Sequence, residues 1–232
     1  MQFLKLREPG YALLVGEGIE IGGFEHPAAL PNARRIIRCD RLWKSEVAAV
    51  FSEVDPSGLP EIDVRIDLDR EGLAPFPDAS LDFVVCCHVL EHLKNPVKTV
   101  GEILRVLRPG GRAALAIPDR DHTFDRHRPL TGWEKLAAIH ASGASEPAAD
   151  DYLDIVRYVH PQMLAVGEDE RRGYLEHLRK RREHLSVWDS RTFPEFLNRC
   201  AVLLGGQWRT LYEVTAAANQ FEYFVVLEKD GP

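Results

Sequence analysis

Glu20, Gly22 and Gly23 stand together in GIEIGGFEHPAALPNA, at the end of the apolar run Ile19 to Ile21. Glycines directly after a strand let the backbone approach a bound molecule closely, and a carboxylate there accepts hydrogen bonds from a hydroxyl or a cation. Asp40 closes the next apolar run, Arg34 to Cys39, twenty residues after Glu20. An acid at the end of a second parallel strand can grip a ribose diol with both carboxylate oxygens. Asp67 and Asp69 flank Leu68 after a third run, Ile62 to Ile66, where an acid can receive an adenine amino group or simply end a solvated turn.

A second group of reactive side chains follows Pro118. The segment DRDHTFDRHRPLTGWEKLAAIH places Asp119, Asp121, Asp125 and Glu134 among His122, His127, His140 and several arginines, including Arg128. It starts at a strand C-terminus, the edge where ligands bind in a parallel sheet, so its polar groups are expected to face a reacting centre. His122 follows the strand closely and is the first candidate for a general base, with His88, His92 and His140 as alternatives. Glu91, Asp119, Asp121 and Asp125 are hard oxygen ligands of the kind Mg²⁺ prefers, although no spacing selects a site among them.

These residues need a sheet to hold them. From Pro75 to Pro118 the chain reads as strand, crossover helix, strand. LDFVVCC is an apolar run entered from a Pro/Asp/Ser turn and suits a strand buried on both faces. Val97, Val100, Ile103, Leu104 and Leu107 recur at helical spacing, Pro109-Gly110-Gly111 stops that helix, and Arg112 to Ile117 forms the next strand. Strand and helix alternate without a break from Ile19 to Ile117, so the fold class is α/β. Residues 1 to 16 read as a peripheral lead-in. A helix is expected from Ser45 to Val54. Three more are expected over 131–140, 146–158 and 168–185, and a further one from Ser190 to Leu204, capped by Ser190 with Phe193, Phe196, Leu197 and Val202 toward the sheet. Trp208 to Val214 and Phe221 to Leu227 close the chain as strands.

With 232 residues and 45% hydrophobic content, one domain with a full core is expected. A net charge of -7 argues against a nucleic-acid partner. Cys39, Cys86, Cys87 and Cys200 lack metal or redox spacing and read as reduced packing residues of a cytoplasmic protein. The N-terminal run is broken by charges and glycine, which supports neither a signal peptide nor a membrane span.

PFPDASLDFVVCCHVLEHLKNP followed by EILRVLRPGGRAALAIP resembles the class I S-adenosylmethionine-dependent methyltransferases. The similarity is to a type 11-like branch with an acidic-glycine first motif, a PF-x-D-x-S-x-D entry to strand four and an RVL-x-PGG turn before strand five. It covers Gly18 to Pro118. The resemblance implies a Rossmann-like seven-stranded sheet over a single domain, residues 1–232, with a helical acceptor-binding lid at 119–188 inserted between strands five and six. It also implies that Glu20, Gly22 and Gly23 line the methionine part of S-adenosylmethionine, Asp40 the ribose, and Asp67 and Leu68 the adenine, with His88 beside the sulfonium. Where the family commonly has a third glycine, this chain reads Phe24-Glu25-His26-Pro27, so the loop passes the cofactor differently. His122, His88 and Asp119 are the expected catalytic residues. Asp125, Arg128 and His140 are the expected acceptor residues.

The D-x-x-H-x-F-D stretch from Asp119 is similar to methyltransferases associated with bacterial polysaccharide synthesis. That implies O-methylation of a sugar or oligosaccharide hydroxyl, of the methylmannose type, with Mg²⁺ as a candidate cofactor and a homodimer compatible with the reading. Two alternatives stand beside it. A lid lined by Trp133, Tyr152, Tyr158 and Trp188 would favour a small-molecule acceptor such as a quinone, phenol or polyketide. A chain that binds cofactor without turnover would be a scaffold.

Overall fold

In the computed structural model, which describes residues 2–24 and 26–231, the chain opens with helix α1 (Gln2–Tyr11). Strands β1 (Gly16–Ile21), β2 (Ala33–Asp40), β3 (Val64–Arg65), β4 (Leu81–Cys87) and β5 (Leu107–Pro118) follow, with α2 (Val47–Val50) and α3 (Pro96–Val106) among them. Helices α4 (Trp133–Ser142), α5 (Leu153–Tyr158), α6 (Glu168–Arg181) and α7 (Thr192–Leu204) separate β5 from β6 (Trp208–Val214). The short α8 (Ala216–Asn219) then leads into β7 (Glu222–Lys229). The strands form one sheet in the order β3-β2-β1-β4-β5-β7-β6. β1 to β5 pair in parallel, and β7 inserts antiparallel between β5 and β6. This is the expected seven-stranded α/β sheet.

β4 is buried on both faces because its apolar run leaves no polar face to turn to solvent. Val84 and Cys86 point into the core under α3 and α7, while Phe83 and Val85 point into the core that also holds Tyr11 and Leu14. Asn95 caps α3 by accepting a hydrogen bond from the Lys98 amide at 3.0 Å, and Pro96 supplies the fixed φ of a first helical position. Val97, Val100, Ile103 and Leu104 form its buried face.

Several local expectations are corrected. α3 ends at Val106 and β5 begins at Leu107, ahead of the Pro-Gly-Gly, because Leu107 pairs with Leu81. The irregularity falls within that turn, where Gly110 takes φ +76°. The helix expected over 45–54 shrinks to a 3-10 turn, Lys44–Glu46, running into α2, and the third strand shrinks to two residues at the sheet edge. Ser190 does not cap α7. The Asp189 carboxylate does so instead, accepting from the Thr192 amide at 2.6 Å. Val202 is 85% exposed rather than facing the sheet. The lead-in is not peripheral, since α1 buries Arg7 and Tyr11 against the sheet.

The helices between β5 and β6 carry a small core of their own, built from Tyr152, Ile155, Val156, Leu175, Leu178 and Leu185. They are tied to the sheet edge. Leu185 and Ser186 both donate their amides to the Glu91 carbonyl, at 2.7 and 3.0 Å, and Asp119 forms a parallel bridge to Trp188.

Candidate functional site

Parallel pairing brings the C-terminal ends of β1, β2, β4 and β5 to one edge, and a cavity opens there. It has two adjoining compartments, of about 210 and 490 Å³, which share Ile21, Gly22, Phe24 and His88. The first is walled by Asp40, Asp67, Leu68 and Asp69 together with His92, Arg181 and Arg182. The second is walled by Glu20, Gly23, Arg7, Tyr11, Cys87 and Phe221.

The β1 and β2 side is made of backbone and singly placed acids. Gly22 takes φ +73°, and a Cβ there would stand 2.6 Å from Val89 Cγ2, so conformation and space both demand glycine. A Cβ on Gly23 would lie 2.5 Å from the Glu20 carboxylate. Glu20 is 3% exposed and accepts the Ala28 amide on Oε1, while its Oε2 has no hydrogen bond among the described residues. Burial pushes its pKa up despite that amide and Arg38. Asp40 accepts the Leu42 amide at 3.0 Å, and burial pushes its carboxyl up to about 6. Asp67 and Leu68 line the same compartment as Asp40. The Asp67 carboxylate also accepts from the Asp69 amide and from Arg182, which leaves it less free than Asp40. Asp69 is structural: it takes the amides of Lys94 and Asn95 and pairs with Arg182 at 2.6 Å.

The β4 and β7 side is made of interlocked charges. His88 sits at φ +56°, in the left-handed region that non-glycine residues rarely occupy. Its Nε2 lies 2.6 Å from Glu222 Oε2, its Nδ1 lies 3.5 Å from Glu91 Oε1, and its ring stacks on Phe221. Both oxygens of buried Glu222 also accept from Arg7, whose guanidinium reaches Tyr11 as well. Burial draws the His88 pKa down, but the two carboxylates push it further up, to about 8. A histidine with both nitrogens facing carboxylates keeps its proton near neutrality. His88 is therefore placed in the cavity wall with its protonated form favoured by Glu222 and Glu91. Sequence reasoning missed Arg7 and Glu222, which pair across 215 positions and give no local signal.

The segment after β5 is arranged differently from expectation. Asp119 is buried and both its oxygens are engaged, one by the Asp121 amide and the other by the Ser190 amide and hydroxyl. It ties the segment down and lines neither compartment. His122 is exposed on the 3-10 turn Arg120–His122 and does not line either compartment. Asp125 and Arg128 form a buried ion pair at 2.7 Å; Arg128 also donates to the His184 carbonyl, and Asp125 Oδ2 meets His184 Nδ1 at 2.6 Å. They hold the lid together and present nothing to the cavity. His140 lies 3.3 Å from the Asn95 side chain, away from both compartments. The Mg²⁺ ligands expected among the acids do not converge: Asp119 and Asp125 are satisfied by protein donors, and Asp121 pairs with Arg120. Of these four acids, Glu91 has no hydrogen bond to its carboxylate among the described residues, with His88, His92 and His184 beside it.

None of the lid aromatics Trp133, Tyr152, Tyr158 and Trp188 lines either compartment, whose aromatic residues include Phe24, Phe51 and Phe221. Tyr152 and Trp188 are fully buried in the two cores, and Trp133 packs against Phe196. The lid instead contributes Arg181 and Arg182 to the cavity wall.

A family model described as a methyltransferase domain matches residues 23–115. Among curated relatives, a protein of Mycolicibacterium smegmatis named as a probable S-adenosylmethionine-dependent methyltransferase is 47% identical over 107 residues, covering 44% of this chain and 41% of that one. A 2-methyl-6-phytyl-1,4-hydroquinone methyltransferase of Synechocystis is 33% identical over 76 residues, 33% of this chain and 23% of that one. The chain thus matches less than half the length of these relatives. Among solved structures, a Bacillus halodurans protein described as a methyltransferase is similar over 98% of both chains, with a TM-score of 0.50 at 15% identity, a likeness of fold.

Proposed function

We infer, from a chain whose domain and sheet are those of the class I S-adenosylmethionine-dependent methyltransferases, that it transfers a methyl group to a hydroxyl of a sugar or oligosaccharide acceptor. The observation that carries the cofactor half is the constrained wall at β1 and β2. Gly22 and Gly23 would let the backbone approach the cofactor, Glu20 would offer its methionine part a buried oxygen that has no hydrogen bond among the described residues, and Asp40 would meet the ribose hydroxyls. Asp67 and Leu68 would flank the adenine. When bound, that cofactor would supply an electrophilic sulfonium methyl to the acceptor oxygen, whose proton would go to water.

The chain's own residues orient and exclude. Leu42, Phe51 and Phe24 give the nucleoside compartment apolar walls, and His88 fixes the edge that both compartments share. Proximity and orientation of this kind supply up to about 7–11 kcal/mol of a barrier. The polar acceptor draws on the lid, which brings Arg181 and Arg182 to the cavity wall and keeps Tyr152 and Trp188 buried in the two cores. A second reading, methylation of a hydroquinone or phenol, draws on the Synechocystis relative and on the apolar residues Phe24, Phe51 and Phe221.

Transfer of label from the cofactor to a panel of saccharides, hydroquinones and phenols tests the assignment. Label on a saccharide hydroxyl is expected. Label on phenols or hydroquinones alone would move the assignment to the second reading, and tight cofactor binding without transfer to any acceptor would make the chain a scaffold.

A further inference from the structure

We propose that Glu91, His92 and His184 form a binding site for a divalent transition-metal ion of the zinc type at the wall of the cavity. The coordinating atoms of these three side chains all lie within 4.8 Å of one another. Glu91 is 1% exposed, and neither of its carboxylate oxygens has a hydrogen bond among the described residues. Burying a carboxylate is costly unless it is paired or coordinates a cation, and the ionic contacts of Glu91 with His88, at 3.5 Å, and with His92 Nε2, at 3.9 Å, both fall on Oε1.

The two histidines are oriented as ligands. His92 Nδ1 lies 2.6 Å from the Arg182 carbonyl, and a carbonyl can only accept, so Nδ1 carries the proton and Nε2 keeps its lone pair. His184 Nδ1 lies 2.6 Å from Asp125 Oδ2, and Asp125 is itself held by Arg128. A carboxylate or carbonyl on one ring nitrogen, leaving the other for a cation, is the outer-shell arrangement of metal-bound imidazoles. The loop that bears His184 is also clamped to Glu91, since the amides of Leu185 and Ser186 donate to the Glu91 carbonyl. His88, 3.5 Å from Glu91 Oε1, offers that oxygen an ionic partner without accounting for the orientation of His92 and His184.

Two imidazoles and one carboxylate suit Zn²⁺ or a neighbouring transition ion, whereas Mg²⁺ and Ca²⁺ prefer oxygen alone. A zinc-type ion with bonds of about 2.0–2.2 Å would draw the three ligand atoms closer together. Three protein ligands leave a coordination position open, and His92 lines the cavity. The role of the ion rests on the methyl-transfer reading: a hydroxyl placed in the open position would have its pKa lowered and its proton would pass to water.

The test uses the full chain, stripped with chelator and titrated with Co²⁺, Zn²⁺ and Mg²⁺, followed by calorimetry and the visible spectrum of Co²⁺. Saturable binding of a single Co²⁺ with the intense bands of four- or five-coordination, displaced by Zn²⁺ and unaffected by Mg²⁺, is expected. Glu91→Gln and His184→Ala should each weaken Co²⁺ at least about a hundredfold, while exposed His127→Ala should leave it unchanged. If His184→Ala does not fold, the isosteric Glu91→Gln decides. Absence of saturable binding, or equal affinity in Glu91→Gln, overturns the site. Cofactor binding is measured separately. Cofactor bound without Co²⁺ removes the metal site alone, and Co²⁺ bound without cofactor upholds the site while removing the methyl-transfer reading.

Discussion

At the ends of β1 and β2 the cavity wall carries carboxylates that burial has pushed up, Glu20 and Asp40, each with few protein donors. In the lid and at β7 the buried carboxylates Asp125 and Glu222 are paired with arginine and histidine, and those partners hold their pKa values down. For Glu20 and Asp40 that cost fits the proposal that their partner comes from outside the chain, whereas Asp69, which burial also pushes up, is held by the Lys94 and Asn95 amides and by Arg182. An acid saturated by its own chain is part of the scaffold. The chemical type is the same in both places, and the neighbours decide the role.

The largest test of this contrast is Asp125→Ala. It leaves the buried Arg128 guanidinium, whose Nε already lacks a hydrogen bond among the described residues, with only the His184 carbonyl. Breaking a buried ion pair from one side costs about 3–5 kcal/mol. Denaturant unfolding at neutral pH, in the presence of chelator, should show a loss of that order. A loss below about 1 kcal/mol, the scale of an exposed pair, would mean that this pair is not structural.

Asp40 should behave in the opposite sense. Its folded pKa, about 6, is raised above the ordinary carboxyl value of 3.8, so its contribution to stability is fully present below 3.8 and is lost as pH rises through about 6. At neutral pH the ionised carboxylate is a burden on the fold, and Asp40→Asn should keep or slightly raise stability. On the proposed role of Asp40 as a charge-assisted grip on the ribose, the same change should weaken cofactor binding roughly tenfold or more. Cofactor affinity of the unmodified chain should fall as pH drops through about 6, and the Asn variant should show no such dependence there. Equal affinity in both, read by calorimetry across pH 5 to 8, would place the ribose elsewhere.

The difference between the two walls also explains what the sequence could tell. Glu20, Gly22 and Asp40 sit where a strand meets its turn, and such positions are announced by the few residues around them. LDFVVCC and RVLRPGG are local in the same way, and the parallel sheet follows from them. The lid charges pair across 59 positions, from Asp125 to His184, and Arg7 meets Glu222 across 215. Nothing near either partner marks such a pair. A dense polar segment after β5 therefore looked like a reacting centre, although two of its acids, Asp119 and Asp125, serve the backbone and the lid. Glu91 and His92 were in view, but His184 was not, because it is placed by the fold of α6 and the loop after it.

His122→Ala is the smallest expected effect and the one that most directly opposes the linear reading of the chain. His122 follows β5 by four residues and so belongs, in sequence, to the functional edge of the sheet. The hydrogen bond from its amide to the Asp119 carbonyl turns the segment into a 3-10 turn, and the imidazole ends up exposed and outside both compartments. A base must reach the acceptor proton directly or through a single water. Replacing a surface residue away from such features usually changes free energies by less than about 0.5 kcal/mol, so turnover should stay within roughly twofold. A much larger loss, with cofactor affinity unchanged, would show that the lid moves on acceptor binding and carries this turn into the cavity. The contrast between the proposed cofactor wall and the self-paired charges of Asp125, Arg128 and His184 would then hold for the free protein alone.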